Sequence, residues 1–243
     1  MKSRFSILCL LVNILLISCE QAPQYYEVSG RLHTPYHIKF EHTKPLDKEI
    51  DEQLKYFYHL FNAFDSTSVI SQVNQNRDIR VDTLFQKVFK KALEVSTETN
   101  GAYDVTCAPL INLWGFGFSR KDSVTPAHID SVRQFIGFQK VRLDGDRIVK
   151  DDPRLMMNFS SLADGTVCDM IAQMLEKKGV RNYLVEFGSE MRVKGVNPMG
   201  VDWRLGIAKP IDDANGMNQE WEQIVSFPRP LGMATSGNYR NFY

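Results

Sequence analysis

An excess of charge of either sign is missing: 29 Lys and Arg balance 29 Asp and Glu over 243 residues. With no net field, nothing draws the chain to nucleic acid or acidic lipid, and nucleic acid is not an expected partner. Cysteine is scarce, at four. Cys9 and Cys19 lie in the amino-terminal leader, which leaves Cys107 and Cys168 to the folded part. No spacing among them suggests a zinc site. One pair is a weak basis for a disulfide, so two buried free thiols are expected. Internal repeats, low-complexity tracts and interdomain linkers are absent as well. What is present is an ordinary globular composition, 43% hydrophobic, with enough apolar residues for an ample core.

Lys2 and Arg4 followed by apolar Ile7–Ile17 read as a secretory signal over residues 1–18, too short for a comfortable membrane span. Its end, Leu16-Ile17-Ser18-Cys19, resembles the bacterial lipobox, after which Cys19 becomes the acylated (palmitate-bearing) mature amino terminus. Acyl chains at roughly 0.8 kcal/mol per buried methylene would hold it to a membrane. A plain signal peptide or membrane anchor is the alternative. Residues 19–25 then read as lipidated terminus and tether, and 26–243 as the folded domain.

Alternation over Tyr26–Phe40 predicts one or two strands around Pro35. Ile50, Leu54, Phe57, Phe61 and Phe64 recur at three and four, which predicts an amphipathic helix over 47–64 broken by Asp65–Ser68. Asp82 is a candidate N-cap for a second helix with Leu84, Val88, Ala92 and Val95 inward, ending near Asn100-Gly101. A helix is expected over 125–135 and a hairpin at Asp144-Gly145. Strands are expected over 182–187, 191–195, 203–208 and 221–227. The sum is α+β: helices packed on a largely antiparallel sheet.

Two stretches carry chemistry. Residues 99–118 (TNGAYDVTCAPLINLWGFGF) hold Gly, Pro and aromatics with almost no charge. Gly115 and Gly117 argue against a helix and Pro109 against a central strand, so an apolar loop is expected. It reads either as a packed connector or as the wall of a slot for a flat ligand. The second stretch is a predicted strand over 155–159 feeding Ser160-Ser161-Leu162-Ala163-Asp164-Gly165 and then a helix with Val167, Ile171, Met174 and Leu175 inward. Free N–H groups at such a corner suit phosphate. Asp164 would repel an anion unless a cation intervened, and helix amino termini also favour Asp for structural reasons.

These stretches, in order with Ser68–Asn74, Glu186–Glu190, Trp203–Pro210 and Ala234–Gly237, resemble the FAD:protein FMN transferases of the ApbE type. The resemblance implies an ApbE-like, T-fold-related α+β architecture and an enzyme of the bacterial cell envelope, facing the periplasm. It would cleave FAD with Mg²⁺ bound, transfer FMN to a Thr or Ser hydroxyl of a target protein, and release AMP. By the same resemblance, Leu32, Phe64, Ala102, Tyr103, Asp104, Asn158, Asp164 and Met233 are flavin-nucleotide contacts and Ser161 a metal ligand. Asn158 replaces the family's usual Asp, and Asp164 its Lys or Glu. The family's His and Asp-Pro-x-Thr-Gly stretch would fall beyond Tyr243, so no catalytic base is assigned and the domain reads as lacking its C-terminal part. None of His33, His37, His42, His59 and His128 takes that His's place; each reads as surface or satisfied core. A catalytically silent FAD-binding lipoprotein and a non-enzymatic surface lipoprotein are the rival readings.

Overall fold

A computed structural model describes residues 22–117, 124–211 and 220–237. The expected signal, Cys19 and residues 238–243 lie outside them. Strands β1 (Gln24–Arg31) and β2 (Pro35–His42) form a hairpin. Pro35 opens β2, a strand-start position that tolerates a residue with no ladder N–H. β2 pairs with β5 (Tyr183–Phe187), β5 with β6 (Glu190–Lys194), and β6 with β9 (Leu231–Ala234). Every pairing is antiparallel, giving the order β1-β2-β5-β6-β9. Two hairpins stand apart: β3 (Val141–Asp144) with β4 (Arg147–Lys150), and β7 (Trp203–Ala208) with β8 (Trp221–Phe227). Gly145 turns the first of these at φ 58°, a conformation open to glycine.

Six α-helices accompany them in the described residues: α1 (Asp47–Phe61), α2 (Val69–Asn74), α3 (Thr83–Glu98), α4 (Ala108–Leu113), α5 (Pro126–Arg133) and α6 (Ser160–Lys177). None is long and apolar enough to cross a membrane. Asp82 caps α3, its carboxylate accepting from the Phe85 N–H at 2.8 Å. The inward face of α3 sits one residue off the expected one: Phe85 and Phe89 are fully buried with Val88 and Ala92, while Leu84 and Val95 are half-buried.

The sheet is apolar on both faces. Tyr183, Val185 and Phe187 of β5 join Ile38 and Phe40 of β2 against α1, α3 and α6. From the opposite face of the same sheet, Leu184 and Val193 meet Trp203, Leu205 and Phe227 of the β7–β8 hairpin. The Trp203 indole N–H donates to the Lys194 carbonyl at 3.1 Å and pins that hairpin. Cys107 and Cys168 are free thiols, Cys168 buried and Cys107 half-buried.

Several expectations need correction. β1 begins at Gln24, so the last two residues of the expected tether belong to the sheet. Helix α1 stops at Phe61, leaving Phe64 in the following turn, 73% exposed rather than inward. Residues 99–118 are not a loop throughout. Pro109 sits in the first turn of α4, where its missing N–H is no loss. Gly115, at φ 78°, ends that helix in a Schellman motif: Phe116 N–H donates to the Ile111 carbonyl and Gly115 N–H to the Asn112 carbonyl. Gly115 thus stops the helix, and at Gly117 an added Cβ would collide with the Asn112 side chain. Residues 155–159 alternate in burial as a strand would, yet form no ladder. Several of their backbone groups bond side chains instead: Asn74 bonds both the N–H and C=O of Met157 (2.8 and 2.9 Å), and Lys150 Nζ donates to the Leu155 carbonyl (2.9 Å). Finally, Ser160–Gly165 is not a turn but the opening of α6, which sets Asp164 in the helix's second turn.

Candidate active site

The site forms where two backbone segments run together. A bridge pairs Cys107 with Met156, and the Asn158 N–H donates to the Val105 carbonyl at 2.8 Å. The stretch after α3 is thereby fastened to the stretch entering α6. Asp104 then knits in a third segment. Its Oδ1 accepts from the Thr106 N–H (2.8 Å) and hydroxyl (2.6 Å), and its Oδ2 from the Phe138 N–H (3.0 Å). The Thr106 hydroxyl also accepts from the Gly137 N–H at 2.8 Å. Both carboxylate oxygens are thus committed to holding the cleft together.

The result is a cleft of about 660 Å³ whose lining includes Ala102, Tyr103, Asp104, Leu110, Ile111, Arg133, Asn158, Ser160 and Ser161. Tyr103 and Ser161, from the two stretches singled out in the sequence, face the same space. Among the described residues the Tyr103 hydroxyl is buried without a hydrogen-bond partner. Burial pushes this phenol upward, and the nearby Ser161 hydroxyl pulls it partly back. Such an orphaned donor is what a ligand oxygen would satisfy. The amino terminus of α6 opens here: the Asn158 side chain accepts from the Ser160 N–H (2.7 Å), while the helix's positive end points into the cleft. Arg133, the last residue of α5, is the one cation in the lining among the described residues. Burial, with the Asp104 charge adding to it, also raises the Cys107 thiol, so it stays protonated at neutral pH.

A second, narrower cleft of about 160 Å³ meets the first at Ser160. His33, Phe57, Tyr58, Phe64 and Asp164 are among its walls. Asp164 Oδ1 lies 3.0 Å from His33 Nε2, and the Tyr58 hydroxyl lies 2.5 Å from His33 Nδ1.

Of the residues marked by resemblance, Ala102, Tyr103, Asp104, Asn158 and Ser161 come together in the first cleft, and Phe64 and Asp164 in the second. Leu32, in the β1–β2 turn beside His33, lines neither. Met233, in β9, packs into the second core instead. Arg133, Ser160, Tyr58 and His33 were not marked. A lone Arg ending a short amphipathic helix leaves no sequence signal, and His33 gains meaning only from side chains 25 and 131 residues away.

Among the described residues no group of three or more His, Cys, Asp or Glu side chains converges to hold a metal. Ser161 offers one of the roughly six oxygens that Mg²⁺ takes. These residues do not fit Mg²⁺ by themselves.

The described ApbE family model matches residues 32–243. The FAD:protein FMN transferase of Vibrio cholerae is 34% identical over 242 residues, covering 95% of this chain and 71% of that protein. Its counterpart from Salmonella typhimurium is 30% identical, covering 97% of this chain and 72% of its own length. The solved flavin transferase ApbE from Vibrio cholerae superposes with a TM-score of 0.79 at 32% identity, over 91% of this chain and 74% of that one.

Proposed function

Because the chain belongs to the ApbE family, whose matched members are FAD:protein FMN transferases, we propose that it moves FMN from FAD onto a Thr or Ser hydroxyl of a target protein and releases AMP. The observation that carries the reading is the common cleft of Tyr103 and Ser161. An apolar wall (Ala102, Leu110, Ile111) suits a planar ring. An unsatisfied phenol, a helix amino terminus and Arg133 suit the pyrophosphate. In the reaction the acceptor hydroxyl oxygen attacks the flavin-side phosphorus and gives up its proton to solvent, the bond from that phosphorus to the bridging oxygen breaks, and AMP carries that oxygen away. Phosphoryl transfer asks the protein mainly to align the reactants and to spread charge. Ser161, Tyr103 and Arg133 are the groups this chain brings to that task.

The site assignments of Phe64, Asn158 and Asp164 belong to the same reading, as does the dependence on Mg²⁺, which rests on family resemblance alone. So does the placement of the chain in the envelope: Cys19, acylated, would hold it to the membrane facing the periplasm. To test the transfer, the protein is incubated with FAD, Mg²⁺ and a target carrying the acceptor Thr, and a denaturing gel is imaged for flavin fluorescence. A fluorescent target band that EDTA abolishes is the expected result. Absence of a band from a chain that binds FAD would reject the transferase. Cys19→Ala should release the protein from the membrane fraction; retention would count against the lipid anchor.

A further inference from the structure

The second cleft holds a chain of polar groups that transfer chemistry does not account for. The Tyr58 hydroxyl accepts the His33 backbone N–H at 2.6 Å. Its own proton has no other acceptor among the described residues and goes to His33 Nδ1, 2.5 Å away. That assigns the ring N–H to Nε2, where it donates to Asp164 Oδ1 at 3.0 Å. The ring is also braced by Phe187, whose centroid lies 5.3 Å away. The three side chains come from α1, the β1–β2 turn and α6, so the arrangement needs the finished fold. It serves no evident packing purpose: the His33 side chain is 48% exposed. Asp164 also sits in acidic company. The Glu190 carboxyl is raised by burial and by the Asp164 charge.

Resting on the flavin-nucleotide reading of the site, we propose that His33 is a positioning residue. Held by Tyr58, it fixes the Asp164 carboxylate as an acceptor for the N–H edge of the planar heterocycle lodged beside Phe64. With Oδ1 engaged by His33, Oδ2, which has no hydrogen-bond donor among the described residues, is left to accept from the ligand. A flavin imide N–H and an adenine amine share this donor chemistry, and either half of FAD could supply it.

Isothermal titration of the full chain with FAD, FMN and AMP tests the assignment. His33→Ala and Asp164→Asn should each weaken FAD about tenfold, and the double variant should be no worse than either alone, because they remove one unit. His33→Gln, which keeps an N–H donor, should recover most of the loss; a residue that merely filled space would show no such rescue. Should His33→Ala fail to fold, His33→Gln and Asp164→Asn still carry the comparison. Loss confined to FMN assigns the flavin half to this cleft and loss confined to AMP the adenine half. In either case methylating that ring's N–H should erase the difference between Asp164→Asn and wild type. Unchanged FMN and AMP affinities in His33→Ala, or strictly additive losses in the double variant, would overturn the proposal. Failure of the wild-type chain to bind FAD, FMN or AMP would remove the nucleotide reading and the role of His33 with it.

Discussion

Tyr103 and Asp104 are adjacent in sequence and opposite in situation. The Tyr103 hydroxyl is buried with no hydrogen-bond partner among the described residues, while the Asp104 carboxylate accepts three hydrogen bonds from its own fold. Removing each should therefore separate stability from binding. Tyr103→Phe discards an unsatisfied group, so the free protein should gain up to about 1 kcal/mol while its affinity for FAD falls. Asp104→Ala should cost about 2 kcal/mol or more by releasing Thr106 and Phe138, and weaken FAD indirectly through a slackened cleft. Urea denaturation paired with flavin titration checks both. A Tyr103→Phe protein that binds FAD as tightly as wild type would remove the phenol from the ligand's partners.

At the scale of elements, what the sequence disclosed followed the kind of bond each segment makes. Helix α3 was legible from Asp82 and the apolar periodicity, and the β3–β4 hairpin from Asp144-Gly145, because their signals are local. Residues 155–159 were not, because their alternation is real but no ladder forms: Met157 and the Leu155 carbonyl bond the side chains of Asn74 and Lys150, from elsewhere in the chain. No local pattern distinguishes a ladder neighbour from a distant amide. Asn74→Ala should thus destabilise the fold by about 2 kcal/mol or more, a large cost for a polar residue on a short helix, read from the shift in the urea midpoint. The stretch 99–118 misled for a different reason. Its glycines were weighed as occupants of a helix interior, whereas Gly115 stands just past a helix end. Gly115→Ala, forced to φ 78°, should cost roughly 1 kcal/mol and leave FAD binding nearly intact, since Gly115 is outside the cleft lining.

Across the whole molecule, Lys150 ties α2 and the segment entering α6 to the β3–β4 hairpin through the carbonyls of Asn74 and Leu155. Burial lowers its ammonium to about 8 from an ordinary 10.5, only partly opposed by Asp152. Between those two values the unfolded chain holds the proton that the folded chain has released, so stability should rise with pH across that window and level off on either side. Lys150→Met should abolish the rise while lowering stability overall. Urea midpoints measured at intervals from about pH 7 to about pH 11 would show it, and a flat wild-type profile would contradict it.

The central strand β5 receives an amino-terminal hairpin made more than a hundred residues before it and supports a core on each of its faces. A ribosome must therefore deliver residue 187 before the first strands have anywhere to dock. Until then the nascent polypeptide is held open by its own topology. Translation arrested short of that point should yield chains that a protease degrades completely, and arrest beyond residue 194 should be the first to leave a resistant fragment.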